Sequence, residues 1–431
     1  MRDIQIIWER CINSYNHRRK VTRSKKMKIA VMGYGTIGSG VVEVLEVNKE
    51  LISARAGKPI EVKYILDLRD FPGDPYEDKI IHDYQMIVND DEIEIVIEAM
   101  GGVEPAYTFV KAMLEAGKHV ATSNKNLVAV KGAELIAYAK EHNLNFMFEA
   151  SVGGGIPIIR PLNKCLTADR IDEVSGILNG TTNYMLTRMA NEGVSFESVL
   201  KDAQALGYAE ADPTADVEGY DPCRKIAILT SLVCGKQVDY EEIYTEGITK
   251  ITTEDFAYAK AMNSSIKLLA SSKRIGEKFR CMVAPFILSK EHPLSGVNDV
   301  YNAIFVTGNM LGDAMFYGSG AGKLPTASAV VADIVDMAKH THVNVPMSWS
   351  EDKMELVDYK ESSNRFFVRT TSSIDEIEAA FGVAVNGAAG VEKYVDGVVE
   401  GEIGFTTSVM GEMDFAKAAE QIAVVSRIRL A

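Results

Sequence analysis

The feature that most constrains this chain is a glycine-rich turn between a short apolar run and a longer amphipathic one. The turn consists of Gly33, Tyr34, Gly35, Thr36, Ile37 and Gly38. Glycines at these spacings allow a tight turn and let a pyrophosphate approach the amide groups that open the next helix. A predicted strand before the motif and a predicted helix after it distinguish it from an ordinary glycine turn. We therefore predict that all six residues contact a dinucleotide.

The sequence around this turn alternates short β-rich runs with longer amphipathic ones, a pattern typical of βαβ units. The predicted strands are Lys28–Met32, Glu61–Leu66, Ile95–Glu98, His119–Thr122 and Asn145–Glu149. The predicted helices between them are Ile37–Ser53, Pro105–Ala116 and Val130–His142. This order predicts a Rossmann-type, doubly wound parallel sheet over residues 27–150.

At 431 residues the chain is long enough for two or three domains. Residues 151–345 mix longer helices and strands and predict an α+β domain for substrate binding and dimerisation. Within it, 320–340 is expected to return to the cofactor domain. The polar stretch 346–364 is expected to be a linker. Residues 365–431 predict a small domain in the order βαββαβ.

Charge and cysteine content exclude several classes of protein. The net charge of −14 argues against nucleic-acid and anionic-membrane partners. No apolar run approaches the roughly 20 residues that span a bilayer. Five scattered cysteines without a C-x-x-C pair indicate neither a disulfide framework nor a zinc site, which favours a reducing cytoplasm.

The choice between NAD and NADP rests on two residues after the second predicted strand. Asp67 can accept hydrogen bonds from the adenosine ribose and would repel a 2′-phosphate, which favours NAD. Arg69 could instead bind that phosphate. Both could equally be residues of a solvated loop.

None of the seven histidines lies in a motif suited to a general acid, so lysines become the candidates. Lys125 ends the Ser123-Asn124-Lys125 triplet at the carboxyl edge of a predicted strand, where ligands of α/β sheets bind. Asp221 and Lys225 are four residues apart at the start of a predicted helix and share a face. The carboxylate would orient the lysine and keep it protonated. An isolated pair of this kind is more often an ordinary helical salt bridge.

A long motif carries these residues and resembles the signature of the homoserine dehydrogenase family. It is A-Q-A-L-G-Y-A-E-A-D-P-T-A-D-V-E-G-Y-D-P-C-R-K, residues 203–225. The resemblance covers Met27 to about Lys339. It includes G-Y-G-T-I-G, S-N-K, F-E-A-S-V-G-G-G-I-P-I-I, I-L-N-G-T-T-N-Y and Y-G-S-G-A-G-K-L-P-T-A-S.

The resemblance implies reduction of L-aspartate 4-semialdehyde to L-homoserine with NAD or NADP. It implies that Lys225 is the proton donor beside Asp221, and that Lys125 lies near nicotinamide and substrate. Glu210 is expected to bind the substrate amine. A homodimer or homotetramer is implied as well.

Further positions follow from the same resemblance. Gly180, Thr181 and Tyr208 are expected to line the substrate pocket, and the loop 318–322 to line the cofactor site. A monovalent cation, sodium, is implied at Glu149, Val152, Gly154 and Ile156, held largely by backbone carbonyls. A carboxylate with carbonyl oxygens suits a hard cation on physical grounds as well.

The βαββαβ tail resembles the ACT modules with which some homoserine dehydrogenases sense threonine. Such modules usually have a glycine-containing turn between the first strand and the first helix. Here that turn is Thr371-Ser372-Ser373-Ile374, without glycine. We expect weak or absent threonine inhibition, and a packing or dimerising role is as compatible with the tail as a regulatory one.

Two other functions remain open at this point. One is a reductase with the same dinucleotide turn that acts on a different amino-acid-derived carbonyl. The other is a non-catalytic dinucleotide-binding sensor regulated through the C-terminal module. Joint retention of Lys125, Glu210, Asp221 and Lys225 argues against the sensor, which needs no proton donor.

Residues 1–26 carry a net charge of about +6 and have neither a signal-peptide core nor a coherent apolar pattern. We expect them to be a dispensable, disordered basic extension. A chain that begins at Met27 should match the full chain in dehydrogenase activity and in melting temperature. A large loss in either measurement would show that the extension has a function.

Overall fold

The computed structural model describes residues 26–385 and 387–431, so nearly all of the basic extension lies outside the described residues. The first domain contains a six-stranded parallel sheet in the order β3-β2-β1-β4-β5-β6. Its strands are β1 (Met27–Met32), β2 (Ile60–Leu66), β3 (Ile80–Ile81), β4 (Ile93–Glu98), β5 (His119–Thr122) and β6 (Phe146–Met147). Its helices are α1 (Thr36–Val47), α2 (Lys49–Ala56), α3 (Gln85–Val88), α4 (Ala106–Glu115) and α5 (Lys125–Glu141).

Alternation along β1 shows why helices cover both faces of this sheet. Ile29 and Val31 belong to one apolar cluster, and Ala30 and Met32 to the other. Successive side chains of a strand point to opposite faces, so an uninterrupted apolar strand requires cover on both. The predicted Rossmann-type domain is confirmed.

Two of the predicted helices have different bounds in the structure. The single helix expected from Ile37 to Ser53 is divided at Asn48 into α1 and α2. Helix α5 begins at Lys125, five residues before the predicted start. Asn124 causes this early start, because its side chain accepts a hydrogen bond from the amide of Leu127 at 3.1 Å. Lys125 is therefore the first residue of a helix.

The second domain contains a mixed sheet covered by helices. Its strands are β7 (Ile171–Ile177), β8 (Lys236–Gln237), β9 (Tyr244–Thr245), β10 (Ser264–Ile275), β11 (Lys278–Ser289), β12 (Tyr301–Gly308), β13 (Gly312–Ser319) and β14 (Ser350–Lys353). Its helices are α6 (Gly180–Glu192), α7 (Phe196–Ala205), α8 (Thr214–Val217), α9 (Tyr220–Cys234), α10 (Thr253–Ala261) and α11 (Lys323–Lys339). Among the described strands, β8 and β14 pair only with each other, whereas the main sheet runs β13-β12-β7-β10-β11, with β9 beside β11.

Helix α11 returns from the second domain to the cofactor domain. Its residues Ala327, Val330 and Ile334 are fully buried in the apolar cluster that also contains Val41 of α1. Close approach of the two helices depends on Gly40, because a Cβ atom there would lie 2.9 Å from the Lys323 side chain. The cluster thus fastens the two domains to each other.

The C-terminal module continues the sheet of the second domain. Its elements are β15 (Ser363–Thr370), α12 (Ile374–Phe381), β16 (Val391–Val395), β17 (Ile403–Thr407), β18 (Met410–Gly411), α13 (Glu412–Ala419) and β19 (Val424–Leu430). Its strands lie in the order β19-β15-β17-β16, and β19 pairs in parallel with β11. The expected βαββαβ order is present, with the two-residue β18 added.

The segment expected to be a linker, 346–364, packs on the second domain. β14 pairs with β8, and Trp349 is buried, with its indole N–H donating to Gln237 at 3.1 Å. The polar composition of the segment gave no sign of this packing, because a single aromatic residue, Trp349, anchors it. Within the described ranges, no helix is long and apolar enough to cross a membrane.

Candidate active site

The glycine-rich turn has the backbone geometry that a dinucleotide requires. Gly33 has φ +92°, and a Cβ atom there would lie 2.8 Å from the carbonyl oxygen of Ala99. A Cβ atom on Gly38 would lie 1.8 Å from the carbonyl oxygen of Gly33. Around Gly35 a Cβ atom would meet open space, and Gly35 caps α1 without a side-chain hydrogen bond. The amides at the start of α1 are therefore open to a pyrophosphate.

Asp67 directly follows β2, and Arg69 holds its carboxylate. The Arg69 guanidinium donates to both carboxylate oxygens, from Nε at 2.9 Å and from Nη2 at 3.0 Å. The amide of Tyr34 also donates to Asp67 at 2.8 Å, which ties the carboxylate to the glycine turn. The hydrogen bonds from Arg69 hold the pKa of Asp67 well below its usual range. Asp67 is ionised but already paired.

Asp221 is the centre of the lysine cluster. Its side chain is almost fully buried at the start of α9, and the ammonium group of Lys225 donates to it at 2.7 Å. The ammonium group of Lys125, at the start of α5, forms an ion pair with the other carboxylate oxygen. The structure thus brings together three of the residues that the sequence singled out, from two different domains.

Burial and charge act in opposite directions on this cluster. Burial alone would raise the pKa of Asp221, but the charges of Lys225 and Lys125 outweigh it and hold that pKa low. Burial lowers the pKa of Lys225, assisted by the charge of Lys125 and opposed by Asp221 and Asp216. A lysine with a lowered pKa beside an ionised carboxylate can exchange a proton more readily than an exposed one.

The hydrogen bonds of Lys225 direct its ammonium group. One N–H donates to Asp221 and another to the backbone carbonyl of Leu178 at 2.8 Å. An ammonium group has three N–H donors. Within the described part of the chain, Lys225 therefore keeps one donor for a ligand.

Sequence reasoning did not single out Asn179, which holds this cluster in place. Its amide donates to Asp221 at 2.8 Å and to Asp216 at 2.7 Å, while its carbonyl caps α6 by accepting from the amide of Thr182 at 2.9 Å. Burial raises the pKa of Asp216, opposed by that hydrogen bond. The only sequence signal was its position before Gly180 in I-L-N-G-T-T-N-Y.

A second network that the sequence did not reveal positions Lys125. The fully buried Glu98 accepts hydrogen bonds from the amide of Met100 at 2.7 Å and from the hydroxyl of Thr122. That hydroxyl in turn accepts from the amide of Asn124 at 2.9 Å. Since Asn124 caps α5, these contacts fix where the helix and Lys125 begin.

Three of the expected pocket residues lie together. Gly180 is the first residue of α6, and a Cβ atom there would lie 2.8 Å from the carbonyl oxygen of Val300. The hydroxyl of Thr181 donates to the carbonyl of Tyr208 at 2.7 Å. Glu210 is exposed two residues further along, and no hydrogen bond or ion pair joins its carboxylate to another described residue.

The loop expected to bind a cation uses its carboxylate for another purpose. Glu149 is buried, and its carboxylate accepts hydrogen bonds from the amides of Ile158 at 2.7 Å, Ile159 at 3.0 Å and Arg160 at 2.8 Å. The carboxylate therefore caps the helical turn that follows. For the expected ligands Glu149, Val152, Gly154 and Ile156, this leaves the carbonyl oxygens.

The loop 318–322 packs against that segment. The amide of Gly155 donates to Ser319 at 3.0 Å, and a Cβ atom on Gly154 would lie 2.5 Å from the carbonyl oxygen of Gly320. A Cβ atom on Gly320 would overlap the buried side chain of Asn302, at 2.1 Å. These approaches explain the run of glycines in both motifs.

The fold and this site define a nicotinamide-dependent oxidoreductase. A parallel sheet in the order 3-2-1-4-5-6 carries a glycine-rich dinucleotide turn, and a buried lysine paired with a carboxylate lies in the adjoining domain. The comparisons with known proteins agree. The protein-family model described as homoserine dehydrogenase matches residues 157–335. The family model described as homoserine dehydrogenase, NAD binding domain, matches residues 33–149.

Individual relatives give the same result. The chain is 42% identical over 328 residues to a homoserine dehydrogenase of Bacillus subtilis, covering 74% of this chain and 75% of that protein. A homoserine dehydrogenase of Synechocystis is 45% identical over 318 residues, covering 72% of this chain and 73% of that protein.

Two solved structures extend the comparison. The homoserine dehydrogenase of Thiobacillus denitrificans has a TM-score of 0.86 at 34% identity, covering 94% of this chain and 98% of that one. A hyperthermophilic archaeal homoserine dehydrogenase in complex with NADPH has a TM-score of 0.64 at 27% identity, covering 75% of this chain and 100% of that one.

The chain belongs to the homoserine dehydrogenase family. It is an NAD(P)-dependent oxidoreductase that interconverts L-aspartate 4-semialdehyde and L-homoserine, a step of amino-acid biosynthesis. This identification confirms the expected activity and disfavours the non-catalytic sensor.

Two glycine substitutions should separate cofactor contact from folding. Gly35→Ala should leave the melting temperature of the free protein near the parental value, because its Cβ atom meets open space. It should nevertheless weaken cofactor binding by about tenfold or more, measured by fluorescence titration, since a methyl group blocks close approach of the pyrophosphate. Gly38→Ala should lower both stability and binding. Parental cofactor affinity in Gly35→Ala would contradict this use of the turn.

Proposed function

We propose that Lys225 is the proton donor of the dehydrogenase reaction. The supporting observation is its buried ammonium group, with two donors held by Asp221 and Leu178 and a third left for a ligand. In aldehyde reduction, Lys225 gives a proton to the substrate oxygen as that oxygen becomes an alcohol. In homoserine oxidation, neutral Lys225 removes the same proton. The bound nicotinamide supplies or accepts the hydride.

Asp221 and Lys125 have supporting roles in this proposal. Asp221 orients Lys225 and favours its protonated form, because a carboxylate raises the pKa of an adjacent lysine. Lys125 neutralises the second oxygen of Asp221 and lies where the cofactor domain meets the second domain. Its partly exposed ammonium group can also contact the bound cofactor or substrate.

Substrate binding is assigned to the segment around Tyr208. Glu210 is exposed and ionisable, so its carboxylate can bind the ammonium group of the amino-acid substrate. Gly180 and Thr181 form the adjoining wall, where only glycine permits the approach of the 297–301 loop to α6. Tyr208 is half-exposed and packs edge-on against Tyr184 at 5.1 Å, which fixes the edge of the pocket.

A monovalent cation fits the 149–156 loop if carbonyl oxygens alone supply the protein ligands. The positive φ angles of Gly153 (+74°) and Gly154 (+55°) turn the backbone sharply, and the Glu149 carboxylate is already hydrogen-bonded. Carbonyl oxygens are suitable ligands for a hard cation such as sodium. The carbonyls of Glu149, Val152, Gly154 and Ile156 would hold it, and the cation would brace the loop against Gly320.

We further assign the enzyme to the cytoplasm, and to a homodimer or homotetramer. Scattered cysteines support the first assignment. The second rests on the homoserine dehydrogenase resemblance. Threonine control through the C-terminal module is disfavoured, because the turn after β15 is already hydrogen-bonded to Ala423, just before β19. The hydroxyl of Thr370 donates to the carbonyl of Ala423 at 2.8 Å, and the hydroxyl of Ser372 accepts from the amide of Ala423 at 3.0 Å.

Lys225→Ala tests the proton donor. Turnover should fall by about 10²–10⁴-fold, roughly 3–5 kcal/mol of transition-state stabilisation. Cofactor affinity should stay within a few-fold, because the glycine turn lies in the other domain. In the parent, homoserine oxidation should rise with pH through a pKa below 10.5, since burial lowers that of Lys225 and the neutral form is required. This rise should disappear in Lys225→Ala.

Arg224→Ala is the matched control, because the neighbouring Arg224 is only partly buried and its guanidinium donates to the Tyr220 carbonyl. It should retain both the turnover number and the pH profile. If Lys225→Ala retained a tenth of parental turnover, Lys225 could not be the main donor, and Lys125 would be the next candidate.

Cofactor preference is tested at Asp67 and Arg69. We expect NAD to be used at least as well as NADP, because Asp67 stays ionised where the ribose would bind. Asp67→Ala should raise kcat/KM for NADP relative to NAD by freeing Arg69, and Arg69→Ala should lower it. The proposal fails if the parent strongly prefers NADP and Asp67→Ala changes nothing.

A further inference from the structure

Two buried arginines fasten the C-terminal module to the second domain. Arg369 on β15 and Arg429 on β19 are 2% and 1% exposed. Each guanidinium donates two hydrogen bonds to a glutamate of its own module. Arg369 pairs with Glu402 at 2.8 and 3.0 Å, and Arg429 with Glu412 at 2.7 and 3.0 Å.

Each guanidinium uses its remaining nitrogen to reach one acid of the second domain. Arg369 donates to Asp255 at 2.8 Å, and Arg429 donates to Glu246 at 2.9 Å. A charge buried at this depth is stable only when paired and hydrogen-bonded. The two arginines therefore form matched clamps across the same junction.

Glu246 accepts hydrogen bonds from other residues besides Arg429. The same carboxylate oxygen accepts from the hydroxyl of Tyr244 at 2.9 Å and from Arg427 at 3.3 Å. Burial would raise the pKa of Glu246, but Arg427 and Arg429 outweigh it and lower that pKa. Glu246 is thus held as a fixed anion.

The residues beside Glu246 lie against the end of α8 and against Gly219, the residue that caps α9. The amide of Ile248 donates to the carbonyl of Val217 at 2.8 Å. A Cβ atom on Gly247 would lie only 2.1 Å from that carbonyl oxygen. On the other side, a Cβ atom on Gly219 would lie 3.1 Å from the Thr245 side chain. Gly219 caps α9 and precedes Asp221 by two residues.

The Arg369 clamp ends at a different helix. Asp255 caps α10 by accepting from the amide of Thr252 at 2.9 Å, and α10 packs on β10 and α6. Its hydrogen-bond distance and the burial of its arginine resemble those of the Arg429 clamp, but Asp255 does not lie in the segment that contacts Gly219.

We propose that the Arg429–Glu246 ion pair is a positioning device for the reaction. It holds the segment 245–248 against the start of α9, and so fixes Asp221 and Lys225 relative to Lys125. The C-terminal module thereby contributes to catalysis without touching the substrate. This proposal rests on the roles proposed above for Asp221 and Lys225.

The test compares Glu246→Ala with Asp255→Ala in the full chain. Each variant removes the acid that one clamp contacts in the second domain, so both should lower the melting temperature. Only Glu246→Ala should lower kcat, by about tenfold to a hundredfold, because small misplacements of catalytic groups have effects of this size. Only Glu246→Ala should also shift the pH profile of homoserine oxidation, and KM for the cofactor should remain parental in both.

If an alanine variant does not fold, as judged by loss of cofactor binding, Glu246→Gln and Asp255→Asn test the proposal instead. Glu246→Gln keeps an oxygen acceptor for Arg429, so it should restore most of kcat relative to Glu246→Ala, yet stay below Asp255→Asn. Equal kcat and pH profiles in the Glu246 and Asp255 variants would overturn the proposal. Lys225→Ala distinguishes failure of this proposal from failure of the proposed proton donor. An active Lys225→Ala would refute the role of Lys225, but the comparison of the Glu246 and Asp255 variants would still be interpretable.

Discussion

The two ion pairs of the Asp221 carboxylate hold the candidate active site together. The carboxylate is buried at the start of α9 and binds one lysine from each domain, Lys225 at 2.7 Å and Lys125 at its other oxygen. Two ammonium groups this close would repel each other without it. Loss of one member of a buried ion pair typically costs about 3–5 kcal/mol, because the remaining charge stays desolvated. The same carboxylate thus raises the pKa of Lys225 against the effect of burial and joins the two domains.

The position of that carboxylate is fixed by short contacts that only glycine permits. Gly219 caps α9 at φ +83°, and Gly180 lets α6 approach the carbonyl of Val300. Between them, Asn179 binds Asp221 and Asp216 with one amide group. Because these groups are buried and hydrogen-bonded, they would need little reorganisation in the proton transfer proposed for Lys225.

The sequence predicted the first domain well, because its signals are local. An apolar run and a glycine turn at fixed spacing define β1, the turn and the start of α1. The structure differs in bounds, such as the break at Asn48, and it adds the short elements β3 and α3, which the sequence did not predict. The lysine cluster was also foreseeable, since Asp221 and Lys225 lie one helical turn apart in a recognisable motif. The capping of a helical turn by the Glu149 carboxylate was not foreseeable, because it depends on amides nine to eleven residues away.

Contacts between distant segments had no such signal. Nothing near Glu246 in sequence indicates that Arg429, 183 residues later, will bind it. Likewise, the stretch 346–364 has the composition of a linker, and only the three-dimensional structure shows Trp349 packed between Gly132 and Gln237. The resemblance of the tail to ACT modules stays a prediction, since its strand order alone does not identify a ligand.

The pairing between β11 and β19 is short, and this explains why a buried charge such as Arg429 is useful at the junction. The two strands pair in parallel over only two residue pairs, Phe286 with Arg429 and Ile287 with Leu430. So short a ladder specifies its register weakly, and a slip of one residue would turn every side chain of β19 to the opposite face. Arg429 would then lose Glu246, its partner in the second domain, and a buried guanidinium that loses a carboxylate costs more than two backbone hydrogen bonds. The buried arginine therefore favours the single register in which it reaches Glu246.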